Sequence, residues 1–108
     1  METQVIQLNY GQITANFFKA IIGSMINGEY TKIILQVKYH QKKANCEYHF
    51  EYKGKNEIRF IFCNGVESYG TMLNFDESEK SFDRKEFKYI KNVITESMIS
   101  DLYYEYLN

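Results

Sequence analysis

Apolar and polar side chains alternate most regularly in the segment CEYHFEYKGKNEIRFIFCN, residues Cys46–Asn64. Because successive side chains of a strand point to opposite faces of a sheet, this pattern predicts two strands joined by the loop Gly54-Lys55-Asn56. In the antiparallel register that this loop sets, opposite charges face each other and aromatic residues pair across the strands. The expected pairs are Lys53–Glu57, Glu51–Arg59, Tyr52–Ile58, Phe50–Phe60 and Tyr48–Phe62. We therefore predict a β-hairpin, with Asn56 in the left-handed conformation that such a loop needs.

A helix is predicted before the hairpin, from Tyr10 to Asn27, because apolar residues recur there at helical spacing. The expected buried stripe contains Ile13, Phe17, Ala20, Ile21 and Met25. Gly28 follows directly, and a glycine in the left-handed conformation is a common end for a helix.

Two more strands are predicted around the hairpin. Tyr30–Tyr39 alternates as a strand, and the polar tract His40–Asn45 is expected to turn the chain into the hairpin. After the hairpin, Asn64-Gly65 is a strong two-residue turn signal that leads into a fourth strand, roughly Val66–Phe75. Across the polar tract the expected pairs are Lys38–Glu47 and Tyr39–Cys46. The inner face of the fourth strand is expected to carry Tyr69, Thr71, Leu73 and Phe75, together with Glu67.

A closing helix is predicted after the charged connection DESEKSFDRKE, capped by Ser81 or Asp83. Its expected buried stripe contains Phe87, Ile90, Val93, Ile94, Met98 and Leu102. A sheet with one apolar face needs a cover, and two amphipathic helices supply it. The predicted fold class is therefore α+β: an N-terminal helix, a four-stranded antiparallel β-meander and a C-terminal helix, with both helices on one sheet face.

Length and charge narrow the class of protein. The chain has 108 residues, 44% of them hydrophobic, which fits one domain over residues 1–108 with a real core. A net charge of −1 lacks the basic signature of direct nucleic-acid binding. Two cysteines and no signal-like N-terminus lead us to expect a cytoplasmic protein. No apolar run approaches the roughly 20 residues of a membrane helix, so no membrane partner is expected.

Catalytic and metal-binding patterns are missing from the sequence. There is no glycine-rich phosphate loop, nucleophile elbow or zinc helix. On a regular strand Cys46 and His49 point to opposite faces, so they cannot share a metal ion, and we expect Cys46 and Cys63 to be small strand residues. We expect His40 and His49 to be solvated or at an edge. We therefore predict no enzyme activity, no cofactor and no metal.

Two groups of residues are candidates for binding a partner. The acidic residues Asp76, Glu77, Glu79 and Asp83, called here the acidic patch, are either a solvated loop or a surface that meets a basic partner. The C-terminal tyrosines Tyr103 and Tyr106, with Tyr104 between them, either cover the sheet edge or form an exposed patch that binds a protein, because tyrosine is favoured at interfaces.

The stretches YGQITANFFKAIIGSMINGEYTKIILQVKY and CEYHFEYKGKNEIRFIF resemble small immunity proteins of bacterial polymorphic-toxin and contact-dependent growth-inhibition systems. Some of those proteins have an N-terminal helix, a meander of aromatic strands and a C-terminal helix, and one antitoxin family has an aromatic residue just before the first strand, where Tyr30 stands here. The resemblance implies a cytoplasmic protein that binds one cognate toxin domain, often a nuclease, and blocks it without catalysis. Acidic side chains would then occupy the basic substrate site as phosphate mimics.

Two other classes remain open from the sequence. One is an interaction or regulatory module of another bacterial or phage assembly, and the other is a small enzyme or ligand-binding α+β domain. An open cavity on the concave sheet face that holds His49 or Glu67 would favour the second. A stable homo-oligomer formed through the C-terminal tyrosines would favour the first.

Overall fold

The computed structural model describes the backbone of residues 2–39, 42–63 and 68–107, and the side chains of residues 2–38, 46–63 and 68–100. The elements in chain order are β1 (Thr3–Asn9), a 3-10 turn (Tyr10–Gln12), α1 (Ala15–Ile26), β2 (Lys32–Tyr39), β3 (Lys42–Gly54), β4 (Glu57–Cys63), β5 (Ser68–Asp76), β6 (Ser81–Phe82) and α2 (Arg84–Leu107). The α+β class is confirmed.

The strands form one sheet in the order in which they occur in the chain, β1 to β6. The four predicted strands are β2 to β5, and each is antiparallel to the next. The prediction of only four strands was wrong, because β1 adds to one edge of the sheet and the two-residue β6 adds to the other. β1 runs parallel to β2, so α1 is the crossover of a β–α–β unit.

The N-terminal helix is shorter than predicted, and the predicted stripe is confirmed in part, since Ile13, Ile21 and Met25 are buried. Thr14 caps it, because its hydroxyl oxygen accepts a hydrogen bond from the backbone N–H of Phe17 at 3.2 Å. The end was predicted correctly, since Gly28 has a φ of 80°. The residues of α1 that are buried are Phe18, Ile21, Ile22 and Met25. Phe17 is only partly buried and Ala20 is exposed, so the predicted stripe was rotated by about one residue.

The pairing of β2 with β3 also differs from the prediction. Glu47 lies opposite Gln36 rather than Lys38, and the register shifts between Gln36 and Lys38. The Gln36 side-chain amide donates a hydrogen bond to the Glu47 carboxylate at 2.8 Å. β3 begins at Lys42, so much of the predicted polar turn is strand, and Tyr39 pairs with Lys42 instead of Cys46. Extending the ladder satisfies more backbone groups than an open polar turn would.

The β3–β4 hairpin has the predicted register along most of its length. The confirmed pairs are Glu51–Arg59, Tyr52–Ile58, Phe50–Phe60 and Tyr48–Phe62. At the loop the prediction was wrong: Glu57 lies opposite Gly54, because an irregularity follows Tyr52, and Lys53 instead contacts Glu51 at 3.2 Å. Gly54 and Lys55 have the positive φ angles, 88° and 54°, that were expected at Asn56. The turn is thus one residue shorter than predicted.

The core lies between the two helices and the concave sheet face. Phe18 of α1, 1% exposed, is at its centre, with ring centroids 5.6 Å from Phe50 of β3, 5.8 Å from Phe82 of β6 and 5.8 Å from Phe87 of α2. Edge-on and tilted contacts of this kind stabilise beyond the area they bury. One side chain therefore joins both helices to both halves of the sheet.

The closing helix is capped and tied to the rest of the fold. The Asp83 carboxylate accepts a hydrogen bond from the backbone N–H of Glu86 at 2.8 Å, so Asp83 is the cap, whereas Ser81 belongs to β6. Ile90, Ile94 and Met98 of the predicted stripe are buried. Phe87 and Val93 are partly buried, and the side chain of Leu102 lies outside the described residues.

Two tyrosine hydroxyls form hydrogen bonds with side chains of α2. The hydroxyl of Tyr48, a predicted core residue that is fully buried, forms a short hydrogen bond with Ser97. Tyr10 contacts Thr95 at 2.6 Å, and its ring lies 4.3 Å from the Lys91 ammonium, a cation–π contact. Tyr52 is half-buried. The prediction of a core position for Tyr69 was wrong, since its side chain is 61% exposed.

Replacing Phe18 and Phe17 separately with alanine tests which face of α1 is buried. Phe18→Ala should lower the free energy of unfolding by about 3–5 kcal/mol, the range for emptying a buried aromatic site. Phe17→Ala should cost clearly less, because Phe17 is half-buried. Urea denaturation of both variants measures the difference. Equal losses, or a larger loss for Phe17→Ala, would contradict this packing.

Candidate functional site

The acidic patch lies on the connection from β5 through β6 to α2, and two of its carboxylates are used by the fold. Asp76 is the last residue of β5, and its carboxylate accepts hydrogen bonds from the turn that follows. One of its carboxylate oxygens accepts hydrogen bonds from the backbone N–H of Ser78 at 2.9 Å, the Ser78 hydroxyl at 2.6 Å and the backbone N–H of Glu79 at 2.9 Å. The Ser78 hydroxyl and then the backbone N–H groups hold the pKa of Asp76 below its usual value.

Asp83 is the second carboxylate that has a structural role, as the cap of α2. Its charge lies next to Glu86 in the first helical turn. Partial burial and then the charge of Asp83 raise the pKa of Glu86. Both aspartates therefore already accept hydrogen bonds within the fold.

The other two carboxylates of the acidic patch are exposed and unused by the fold. Within the described residues, neither Glu77 nor Glu79 forms a salt bridge. The turn beneath them is nonetheless held at both ends, because Asp76 accepts hydrogen bonds from Ser78 and Glu79 and Phe82 is buried against Phe18. The sequence thus identified the patch, and the structure divides it into two anchoring aspartates and two presented glutamates.

The predicted C-terminal tyrosines lie in a different part of the molecule. Tyr103 and Tyr106 belong to the last turns of α2, which runs to Leu107. Their side chains lie outside the described residues, so the choice between sheet cover and exposed patch stays a prediction. The structure does not bring them together with the acidic patch along the helix, since the patch ends at the first residue before α2.

The convex sheet face, which neither helix covers, carries a network of polar side chains. Gln7 donates to Gln36 at 3.1 Å, Gln36 donates to Glu47, and the second oxygen of Glu47 lies 3.2 Å from His49 Nε2. In the next row Glu51 contacts Lys32 at 3.5 Å and Lys53 at 3.2 Å. Burial alone would raise the pKa of Glu51, but the hydrogen bonds and charges of Lys53 and Lys32 together lower it. His49 lies on this outer face, but the expectation that it is solvated or at an edge was wrong, because its side chain is only 14% exposed and β3 is an inner strand.

Cys46 and Cys63 lie at strand positions, and both are reduced thiols. Cys46 is buried, and Cys63 lies opposite Glu47 on the convex face. Burial and then the negative charge of Glu47 raise the pKa of the Cys63 thiol, which keeps it protonated and weakly nucleophilic. Among the described residues, no three His, Cys, Asp or Glu side chains are grouped as metal ligands. His40 and Glu67 lie outside these residues.

A cleft on the concave side was not predicted from the sequence. The cleft lies between β4, β5 and α2 and has a volume of about 200 Å³. The lining residues are Phe60, Phe62, Tyr69, Gly70, Thr71, Tyr89 and Val93. The rings of Phe62 and Tyr69 stack at a centroid distance of 6.4 Å, and Tyr89 is 45% exposed. We call this the aromatic cleft.

No helix among the described residues combines the length and the apolarity that crossing a bilayer requires.

No family model, curated protein or solved structure matches the chain.

The hydrogen bonds of Asp76 predict a pH-dependent effect on stability. A carboxyl group whose pKa is lowered in the folded state stabilises that state above the unfolded pKa of 3.8, and this stabilisation is lost as the pH falls through the lower folded value. Asp76→Ala should therefore lower the melting temperature at pH 7, and the difference from wild type should disappear below the folded pKa. Asp76→Asn, which keeps one acceptor oxygen, is the control and should lose less. An equal loss at pH 7 and at pH 2 would contradict the assignment.

Proposed function

We propose that this protein is an immunity protein that binds a cognate toxin domain, a nuclease in the first instance, and neutralises it by stoichiometric inhibition. The resemblance to small immunity proteins suggests the partner, and the acidic patch supplies the contact. The observation that carries the proposal is the placement of Glu77 and Glu79: two exposed carboxylates on a fixed turn, neither used by the fold.

A fixed turn suits a binding role for an energetic reason. Ordering a flexible acidic loop on binding would cost conformational entropy, whereas a turn already held by Asp76, Phe82 and Asp83 loses little. The two free carboxylates then attract a basic surface from solution and raise the association rate. A nuclease has such a surface where it binds phosphates, and carboxylates placed there compete with the nucleic acid.

The aromatic cleft favours a second candidate, a non-catalytic interaction module of another bacterial or phage assembly. Exposed tyrosines are over-represented in protein interfaces. Tyr69 and Tyr89 are both exposed at the cleft, which lies on a different surface from Glu77 and Glu79. A partner that binds only at the cleft would support the module and leave the acidic patch without a role.

Charge reversal of the two free glutamates tests the acidic contact. The double variant Glu77→Lys/Glu79→Lys should bind the cognate toxin domain, to be sought first in the gene immediately upstream, with an association rate lower by roughly tenfold or more. Its melting temperature should stay near that of wild type, since neither side chain has a partner in the described fold. Stopped-flow association and survival of cells that express the toxin provide the two measurements.

The matched control is Glu2→Lys/Glu96→Lys, which changes the net charge equally at two other exposed positions. Wild-type association should slow as salt rises, because exposed charges are screened within about 8–10 Å. Truncating Tyr103 and Tyr106 to alanine tests the rival surface in the same assay. If the reversed variant binds and protects like wild type, the acidic contact is wrong. If the wild-type protein neutralises no neighbouring toxin, the immunity function itself is wrong.

A further inference from the structure

One edge of the sheet has unused hydrogen-bonding groups over seven residues. β6 pairs only with Phe75 and Asp76 of β5, and no strand among the described residues pairs with Ser68–Asn74 on that side. The backbone N–H of Phe75 donates to the carbonyl of Asn56 at 3.0 Å, so Phe75 and alternate residues before it face β4. In an antiparallel ladder the residues between them direct both N–H and C=O the other way. Ser68, Gly70 and Met72 therefore direct donors and acceptors to the side on which no strand of the described residues pairs.

This edge lacks the usual protection against strand addition. Edge strands commonly carry lysines, prolines or charged side chains that discourage pairing with another chain. The segment SYGTMLN, residues 68–74, contains no charged residue and no proline. Met72 is 47% exposed on the convex face and Tyr69 is 61% exposed on the concave face. A strand added here would cover both.

The two faces beside the edge differ in chemistry. On the concave face the edge borders the aromatic cleft, through Tyr69 and Thr71. On the convex face the Arg59 side chain lies flat over Gly70, where a Cβ atom would be 3.1 Å from the Arg59 Nε. Within the described residues Arg59 has no salt bridge, and Glu51, which lies opposite it, contacts Lys32 and Lys53 instead. A positive charge without a partner thus lies beside an otherwise uncharged edge.

We propose that the free edge of β5 binds an extended segment of a partner protein that carries an acidic residue between two aromatic or aliphatic residues. Added as a strand, the segment would pair with Gly70 and Met72 through its backbone. Because side chains alternate, its carboxylate would lie on the convex face near Arg59, and its two neighbours would lie in the aromatic cleft. This site is separate from the acidic patch and does not depend on the proposed toxin.

Charge argues against a second copy of this chain as the occupant. An antiparallel pair of β5 strands with its two-fold axis at Thr71 would place Gly70 of each copy opposite Met72 of the other. Arg59 of each copy reaches from β4 over Gly70 of its own β5 strand, so both guanidinium groups would lie on the same face above the two paired strands. Like charges placed in this way destabilise the pairing. A partner segment with a carboxylate at that position instead satisfies the guanidinium.

Selection from a phage library of random nonapeptides on the wild-type protein is the test. The enriched peptides should share an acidic residue with aromatic or aliphatic residues on both sides. Met72→Pro removes an outward-facing N–H and should weaken binding of the selected peptide at least tenfold, while Met72→Ala, which keeps that N–H, should weaken it less. Arg59→Gln should abolish the preference for the acidic residue, and Lys19→Gln, a change at an exposed cation of α1, should not.

Amide hydrogen exchange on the wild-type protein gives a measurement that does not depend on any variant folding. The selected peptide should slow exchange at Gly70 and Met72 at least tenfold, without a comparable effect at Thr71 and Leu73, which already face β4. The proposal is overturned if no peptide is enriched, or if binding leaves Gly70 and Met72 unprotected. It is also overturned if the protein forms a dimer in sedimentation that Met72→Pro dissociates, since the occupant would then be a second copy.

Discussion

The packing of one aromatic side chain joins the two helices to the sheet and to the turn that carries the acidic patch. Phe18 contacts Phe50 in the middle of the sheet, Phe82 in the last strand and Phe87 in the closing helix. These three residues lie far apart in the sequence and are brought together only because the sheet curls around α1. The contact with Phe82 matters most for the exterior, because Phe82 holds the turn that carries Glu77 and Glu79. The turn of the acidic patch is therefore attached to the core through Phe82.

Sequence reasoning succeeded where the deciding interactions are local. The β3–β4 register follows from side chains within about a dozen residues of each other, since Glu51–Arg59 and Phe50–Phe60 are both satisfied in one alignment only. The end of α1 at Gly28 and the start of α2 at Asp83 are also local, since each depends on one conformation or one hydrogen bond. β1 was missed because its evidence is not local. Thr3–Asn9 forms a strand by pairing with β2, on the other side of a whole helix.

The difference between local and non-local interactions also explains which parts of the candidate sites the sequence predicted. The acidic patch is contiguous in the sequence and was therefore visible, but the roles of its members were not. Asp76 and Asp83 each lie next to backbone N–H groups that need an acceptor, and short acidic side chains commonly take that position. The longer Glu77 and Glu79 are left free. The aromatic cleft could not be predicted from the sequence, because β4, β5 and α2 contribute to it together. Tyr69 is exposed because α2 does not cover it.

β5 links the two proposed binding surfaces and separates their charges. Its free edge is centred near Gly70, while its last residue, Asp76, begins the acidic patch. Six residues of strand span about 20 Å, which exceeds the screening length of about 8 Å at physiological ionic strength. The guanidinium of Arg59 and the carboxylates of Glu77 and Glu79 therefore do not neutralise each other. An interface of ordinary size, about 800 Å² on each partner, is wide enough to cover both. A single partner that covered both the β5 edge and the acidic patch would need a basic surface and an acid-bearing strand about 20 Å apart. A partner with the opposite arrangement of charges would be repelled by Arg59 and by the acidic patch.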